Sequence, residues 1–169
     1  MEINKINRSE MEGIKTLYYE SPLGLIEVQA TEIGVRAINF AHEKILTEIE
    51  NAYNRLAISQ LDEYFNRKRT VFDMPLDLEG TDFQKRVWTK LLKIPFGKTC
   101  SYMDIARAIG DPKTIRAVGM ANGSNKIAIV VPCHRIIGSD GSLTGYAAGL
   151  TRKKWLLDLE SPTVQGELF

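Results

Sequence analysis

A thiol and an imidazole stand side by side in Pro132-Cys133-His134-Arg135, at the end of an aliphatic run from Ile127 to Val131. A thiol is a strong nucleophile only as thiolate, and its reference pKa of about 8.5 must be lowered by neighbours before much thiolate exists at neutral pH. Here His134 can serve as base and Arg135 as a nearby positive charge. The chemistry this favours is attack by Cys133 on an electrophile. Read from four residues alone, a buried core thiol that happens to lie beside a histidine competes with it. The other cysteine, Cys100, lies between Thr99 and Ser101 with no base or acid beside it.

Three helical segments upstream are suited to position such a site. Thr81 followed by Gln84 fits a capping box, and Phe83, Val87, Trp88, Leu91 and Leu92 form an apolar stripe that ends at Ile94-Pro-Phe-Gly97. Ser101 opens a second helix through Ile105 and Ile109, closed by Gly110. Asp111-Pro112 then starts a third, with Asp as N-cap and Pro at the first helical position. Two short helices joined by a tight glycine turn outline a helix-turn-helix, and an ordinary helical hairpin in a core has the same pattern. Small residues at Ala117, Gly119, Ala121 and Gly123 would allow close approach of a partner to the later helix.

The first half reads differently. Residues 15–20, 25–30 and 35–40 alternate as strands, separated by Ser-Pro-Leu-Gly and by Gly34, which favours an antiparallel meander. Apolar spacing predicts helix from about Glu43 to Arg67 with one break, and Val71–Asp77 reads as extended. Prolines and Gly80 mark a boundary, giving one domain over 1–78 and another over 79–169.

Composition bounds the rest. The chain has 169 residues, 44% hydrophobic and 25% charged, as in ordinary globular proteins. No apolar stretch approaches the roughly 18 residues of a membrane span, and the polar first fifteen residues carry no secretory pattern. The expectation is an intracellular, cytoplasmic protein with reduced thiols. Two Cys and two His without CxxC or HxxxH spacing argue against a structural zinc, and no metal is expected. Net charge is only +1, but from Lys85 to Lys126 nine basic residues face two acids, Asp104 and Asp111. That local excess suits a phosphate-contacting surface, although a solvated helix face gives the same pattern.

Taken together, the motifs resemble the methylated-DNA–protein-cysteine methyltransferases, which repair O6-alkylguanine in DNA. The matching pieces are Gly80-Thr-Asp-Phe-Gln-Lys-Arg-Val-Trp88, Ile94-Pro-Phe-Gly97, Ser101-Tyr102, Arg116-Ala-Val-Gly119, Asn125, Val131-Pro-Cys-His-Arg-Ile136, Gly145-Tyr146, and Trp155-Leu-Leu157 with Glu160. They stand in the family's order over roughly residues 60–160.

The resemblance implies an α+β (α/β) protein: a small ribonuclease H-like domain with an antiparallel sheet, then a mostly helical, winged helix-turn-helix-like domain. It implies Cys133 as alkyl acceptor, His134 as its base acting through a water, Glu160 as orienter of the imidazole, and Asn125 as a brace of the active-site loop. It also implies Arg116 as the finger that fills the vacated base stack and Tyr102 as an aid to extrusion, with Ala117 and Arg135 at the DNA surface. Tyr146, Ile136, Ala147 and Ala148 would line the guanine pocket. The partner would be double-stranded DNA carrying O6-alkylguanine, with O4-alkylthymine as a further substrate. No cofactor, no membrane and no obligate protein partner are implied, and the protein would act as a monomer, once per molecule.

Three features depart from, or stand outside, the family pattern. Lys126 replaces a usual proline, which predicts a less rigid loop before Cys133, and Ala148 replaces a common glycine at the pocket rim. Lys153 and Lys154 open the last helix against its dipole; contact with an anion would explain them, but exposed helix surface is the expectation. Two rival readings are a non-catalytic lesion binder, which would lack the cysteine, and a thiol hydrolase, which would leave the basic helix-turn-helix unexplained.

Overall fold

A computed structural model describes residues 13–161. Residues 1–12, most of the polar opening stretch, and 162–169 lie outside the described residues. The chain divides into two compact units between Leu78 and Glu79.

In the first unit, strands β1 (Lys15–Ser21), β2 (Gly24–Ala30) and β3 (Val35–Phe40) form an antiparallel sheet in sequential order. Ser21 pairs with Gly24 at the first hairpin, and a bulge at Gln29/Ala30 shifts the second pairing. Alternation sets the two faces: Tyr18, opposite Glu27, lies on one, and Ile26, Val28, Ala30 and Ile38 share the other, more deeply buried one. Helix α1 (Ala52–Phe65) covers that face with Ala57, Leu61, Tyr64 and Phe65. The extended segment after it docks where Gly34 has no side chain, since a Cβ there would lie 2.5 Å from the Pro75 carbonyl oxygen. Val35 and Asp77 complete that contact through backbone hydrogen bonds.

The expected helix from Glu43 is shorter than its apolar spacing predicted. Asn51 caps α1 by accepting from the Tyr53 and Asn54 amides while Asn54 bonds back, so the helix begins at Ala52. Residues 43–50 are instead held to β1 by non-helical bonds: Ile45 and Leu46 amides donate to the Tyr18 hydroxyl, and the Ile49 amide to the Thr16 carbonyl. Ile45 is 78% exposed, so its place in the helical pattern reflected no buried face.

The second unit contains α2 (Asp82–Leu91), β4 (Cys100–Ser101), α3 (Tyr102–Ile109), α4 (Ile115–Gly123), β5 (Ile136–Ile137) and α5 (Leu150–Glu160). The Thr81–Gln84 capping box is present at α2, and Ser101–Asp104 forms another at α3. Gly110, at φ 111°, ends α3 in the left-handed region. The chain from Asp111 then makes a 3-10 turn at Pro112–Thr114 before α4, where one continuous helix was expected. Helices α2, α3 and α4 pack on one another. The Trp88 indole N–H donates to the Ala121 carbonyl at 2.8 Å and ties α2 to α4. Strand β4 pairs with β5 in parallel, Cys100 opposite Ile136, and so fixes the residues just after Arg135 against the start of α3. Among the described residues no helix is long and apolar enough to cross a membrane.

Candidate active site

Between α4 and Cys133 the chain makes an irregular loop that one side chain organises. Asn125 accepts the Ile127 amide at 2.9 Å and donates to the Val131 carbonyl at 2.8 Å and to Cys133 Sγ at 3.2 Å. Inside this loop Ile129 is fully buried with φ 72°, a conformation a β-branched residue adopts only under constraint, at a cost of about 1–3 kcal/mol. The Asn125 bonds and the buried Ile127 and Val131 supply that constraint. The loop is thus held from inside, and Lys126 points outward, exposed, 4.0 Å from Glu79.

Cys133 opens a 3-10 turn and is 6% exposed. Burial pushes its thiol pKa up, opposed by the Asn125 hydrogen bond, the positive charge of Lys153 and the backbone N–H groups of Cys133 and His134. The resting sulfur is therefore a thiol, and its sequence neighbours do not make it a thiolate. A base is required.

His134 is fully buried, and its Nε2 lies 2.7 Å from Glu160 Oε2. Burial lowers the imidazole pKa; Glu160, by its hydrogen bond and charge, opposes this. The ring is accordingly neutral at neutral pH. An ionised carboxylate only accepts, so Nε2 carries the hydrogen and Nδ1 keeps its lone pair. Nδ1 is buried and has no hydrogen-bond partner among the described residues. That leaves a basic nitrogen on the side of the ring away from Glu160, free to accept a proton.

Glu160 ends α5 and is 2% exposed. Burial would raise its pKa, but the hydrogen bonds and charges of His134 and Arg135 outweigh it and hold the carboxyl at about 2. Here the structure corrects one expected role. Arg135 is not at the DNA surface: it is 6% exposed and grips Glu160 through Nε at 2.7 Å and Nη2 at 3.1 Å. Its Nη1 donates to the Ile94 carbonyl at 2.7 Å, and Phe96 lies under the guanidinium. A guanidinium so occupied has no free edge for a phosphate. It helps set the charge and position of the Glu160 carboxylate that His134 also contacts.

Lys153 is a second correction. It is fully buried rather than on the helix surface, and Nζ donates to the carbonyls of Ile136 and Thr144, the latter at 2.8 Å. The Tyr102 hydroxyl donates to the same Thr144 carbonyl at 3.3 Å. One ammonium therefore ties β5, the 138–149 loop and, through Thr144, the start of α3. Lys154, by contrast, is exposed and pairs with Asp158. The signal for Lys153 was present in the sequence: with Leu156 and Glu160 it lies at helical spacing on the buried face of α5.

Of the remaining residues, Ile136 is buried and Tyr146 half-buried. The Tyr146 hydroxyl is sealed from solvent without a hydrogen-bond partner among the described residues, and burial pushes its pKa up, helped by the Cys133 charge. Ala147 is exposed and Ala148 half-buried. Arg116 and Ala117 lie apart from the thiol cluster, exposed on α4.

Known proteins resemble this chain in both units. Residues 14–78 match the family model for the 6-O-methylguanine DNA methyltransferase ribonuclease-like domain, and residues 82–162 match that for its DNA-binding domain. The methylated-DNA–protein-cysteine methyltransferase of Methanosarcina barkeri is 50% identical over 153 residues, covering 85% of this chain and 97% of that protein. The one from Mycobacterium tuberculosis is 56% identical over 112 residues, 66% of this chain and 68% of that one. The crystal structure of the M. tuberculosis O6-methylguanine methyltransferase superposes with a TM-score of 0.79 at 43% identity, covering 87% of this chain and 92% of that one. The M. tuberculosis protein in complex with DNA gives 0.78 at 44%, covering 87% and 91%. Matched in order by both domain models, and half identical to a relative it covers almost completely, this chain belongs to the 6-O-methylguanine DNA methyltransferase family.

Proposed function

We propose that this protein repairs double-stranded DNA by moving the alkyl group of O6-alkylguanine, and of O4-alkylthymine, onto Cys133. The observation that carries the reading is the buried Cys133–His134–Glu160 cluster, in which a neutral imidazole presents an unpartnered Nδ1. Nδ1 takes the thiol proton through a bridging water, because side chains adjacent in sequence do not meet directly. The thiolate attacks the alkyl carbon, a carbon–sulfur bond forms and the carbon–oxygen bond breaks. The electron pair leaves on the oxygen of the base, which stays in its strand and is restored to its normal form by the proton the imidazolium returns. Glu160 stays ionised throughout, held so by Arg135. Direct displacement by a thiolate needs no cofactor. A thioether has no good leaving group for water to displace, so each molecule acts once.

The target atom is unreachable inside the duplex, and the base must leave the stack. In this reading α3 and α4 dock in the minor groove, whose degenerate code suits a lesion found in any sequence. Arg116 fills the vacated space, Ala117 allows close approach, and Tyr102 contacts the phosphate and the extruded guanine. Tyr146, Ile136, Ala147 and Ala148 form the guanine pocket, and Asn125 braces the sulfur. Lys153 holds the pocket loop by the Thr144 carbonyl. The exposed cations from Lys85 to Lys126 meet phosphates. The protein works as a monomer inside the cell.

The direct test is incubation with a duplex carrying one O6-methylguanine, followed by peptide mass mapping. One methyl per molecule on the Cys133 peptide is expected; continued turnover with excess substrate would contradict the reading. A second measurement addresses the finger. Arg116→Ala is expected to slow repair of the duplex on the order of a hundredfold, the scale of a few kcal/mol of lost stacking. Transfer from a free alkylated guanine base should be unchanged, and equal losses on both substrates would remove Arg116 from that role.

A further inference from the structure

The outward face of α4 carries more than its arginine. Arg116, Ala117, Met120 and Gly123 are exposed, while Val118, Ala121 and Asn122 are buried, so the exposed positions form one stripe along the helix. Its small members are not small for internal reasons. A Cβ added at Gly123 would meet nothing within 4 Å, and one at the neighbouring Gly119 would come no nearer than 3.9 Å to the Tyr102 ring. Neither glycine has positive φ, so alanine would fit both and favour the helix. Nothing within the chain requires so low a floor.

Two long side chains stand above that floor, Arg116 and Met120, four residues apart and so on the same side. Met120 is 77% exposed, against 41% for Leu92 and 48% for Leu150, the other large apolar side chains exposed among the described residues of this unit. Exposed lysines, Lys113 and Lys126, stand before and after the helix. The surface is basic at its ends and apolar in its middle. A duplex minor groove has the complementary form, with phosphates along the rims and sugar faces and base edges between them.

We propose that Met120 is a second minor-groove probe, packing its thioether against sugars and base edges beside the step opened by Arg116 and stabilising the unstacked state. The proposal rests on the reading of α4 as the DNA-docking helix. Four residues rise about 6 Å along a helix, close to twice the 3.4 Å between nucleotides of one strand. Met120 therefore acts about two base pairs from the finger. Its unbranched side chain adapts to irregular apolar walls, and minor-groove proteins use apolar wedges, methionine among them, to open base steps.

The test compares wild type, Met120→Ala and Met120→Leu on a duplex carrying O6-methylguanine, with 2-aminopurine two pairs to either side, and on free O6-benzylguanine. Met120→Ala is expected to slow duplex repair about fivefold, as for loss of roughly half the burial of such a side chain. It should also damp the 2-aminopurine fluorescence rise and leave reaction with the free base at the wild-type rate. Met120→Leu should restore most of both duplex signals. Duplex repair and fluorescence unchanged in Met120→Ala would overturn the proposal. Equal losses on duplex and free base would overturn it too, because the effect would then lie in the thiol site. Absence of transfer in the wild type would bring down the function itself, and this proposal with it.

Discussion

Cys133→Ser is expected to abolish alkyl transfer while duplex binding persists, and Cys100→Ser to leave transfer at the wild-type level. The contrast does not come from resting thiolate. Both thiols have raised pKa values, Cys133 through burial and Cys100 through burial and the nearby Asp104 carboxylate. What separates them is their surroundings. Cys133 has Asn125 on its sulfur, the His134–Glu160 pair beside it and the Lys153 ammonium as the nearby positive charge. Cys100 lies half-buried in β4 near a carboxylate, which disfavours a second negative charge. A serine hydroxyl is a far weaker nucleophile toward carbon, so the loss should exceed roughly 10⁴-fold, the scale seen when a nucleophile is removed. Binding should survive because Cys133 is buried, whereas Arg116 and Ala117 are on the surface of α4. Peptide mass mapping and a duplex shift assay read the two properties separately. Methyl on Cys100 in the wild type, or transfer by Cys133→Ser, would refute the assignment.

How much of this was legible beforehand depended on whether a residue's partner lay near it in sequence. The meander was legible because alternation and turn residues are local, and so were the capping boxes at Thr81 and Ser101. The stretch from Glu43 to Asn51 was not. Its apolar residues imitate a helix, while the bonds that hold it reach back some thirty residues to Tyr18 and Thr16. Arg135 was misplaced for the same reason. Beside Cys133 and His134 it reads as a spare cation, and only the fold brings Glu160, twenty-five residues away, onto it. Lys153 was set aside because lysine is rarely buried. The carbonyls of Ile136 and Thr144 make that burial tolerable, and backbone acceptors leave no mark in a sequence. Lys126 was expected to loosen the loop, but the loop's order comes from Asn125 and the buried residues around Ile129.

Replacing Glu160 by Gln should damage stability as well as rate, and the pH dependence distinguishes the cause. Two buried groups, His134 and Arg135, share this carboxylate. Its pKa of about 2 lies below the ordinary 4.5, and at about 1.4 kcal/mol per unit that contributes roughly 3 kcal/mol to folding. Because the folded pKa is the lower one, the contribution is complete above about pH 4.5 and is lost as pH falls toward 2. Glutamine cannot balance the buried guanidinium, which independently sets the cost at about 3–5 kcal/mol, a large share of a domain's usual 5–15 kcal/mol. Both tryptophans, Trp88 and Trp155, belong to the second unit, so their fluorescence follows its unfolding alone. In urea titrations at pH 7 the variant's midpoint should fall sharply, and its further loss between pH 5 and 2 should be smaller than the wild type's. Transfer at pH 7 should drop on the order of a hundredfold, since the carboxylate no longer raises the basicity of His134 or fixes Nδ1 as the base. Parallel acid losses of stability in the two proteins would show that Glu160 carries no such charge-dependent contribution, and unchanged transfer would remove it from the orientation of His134.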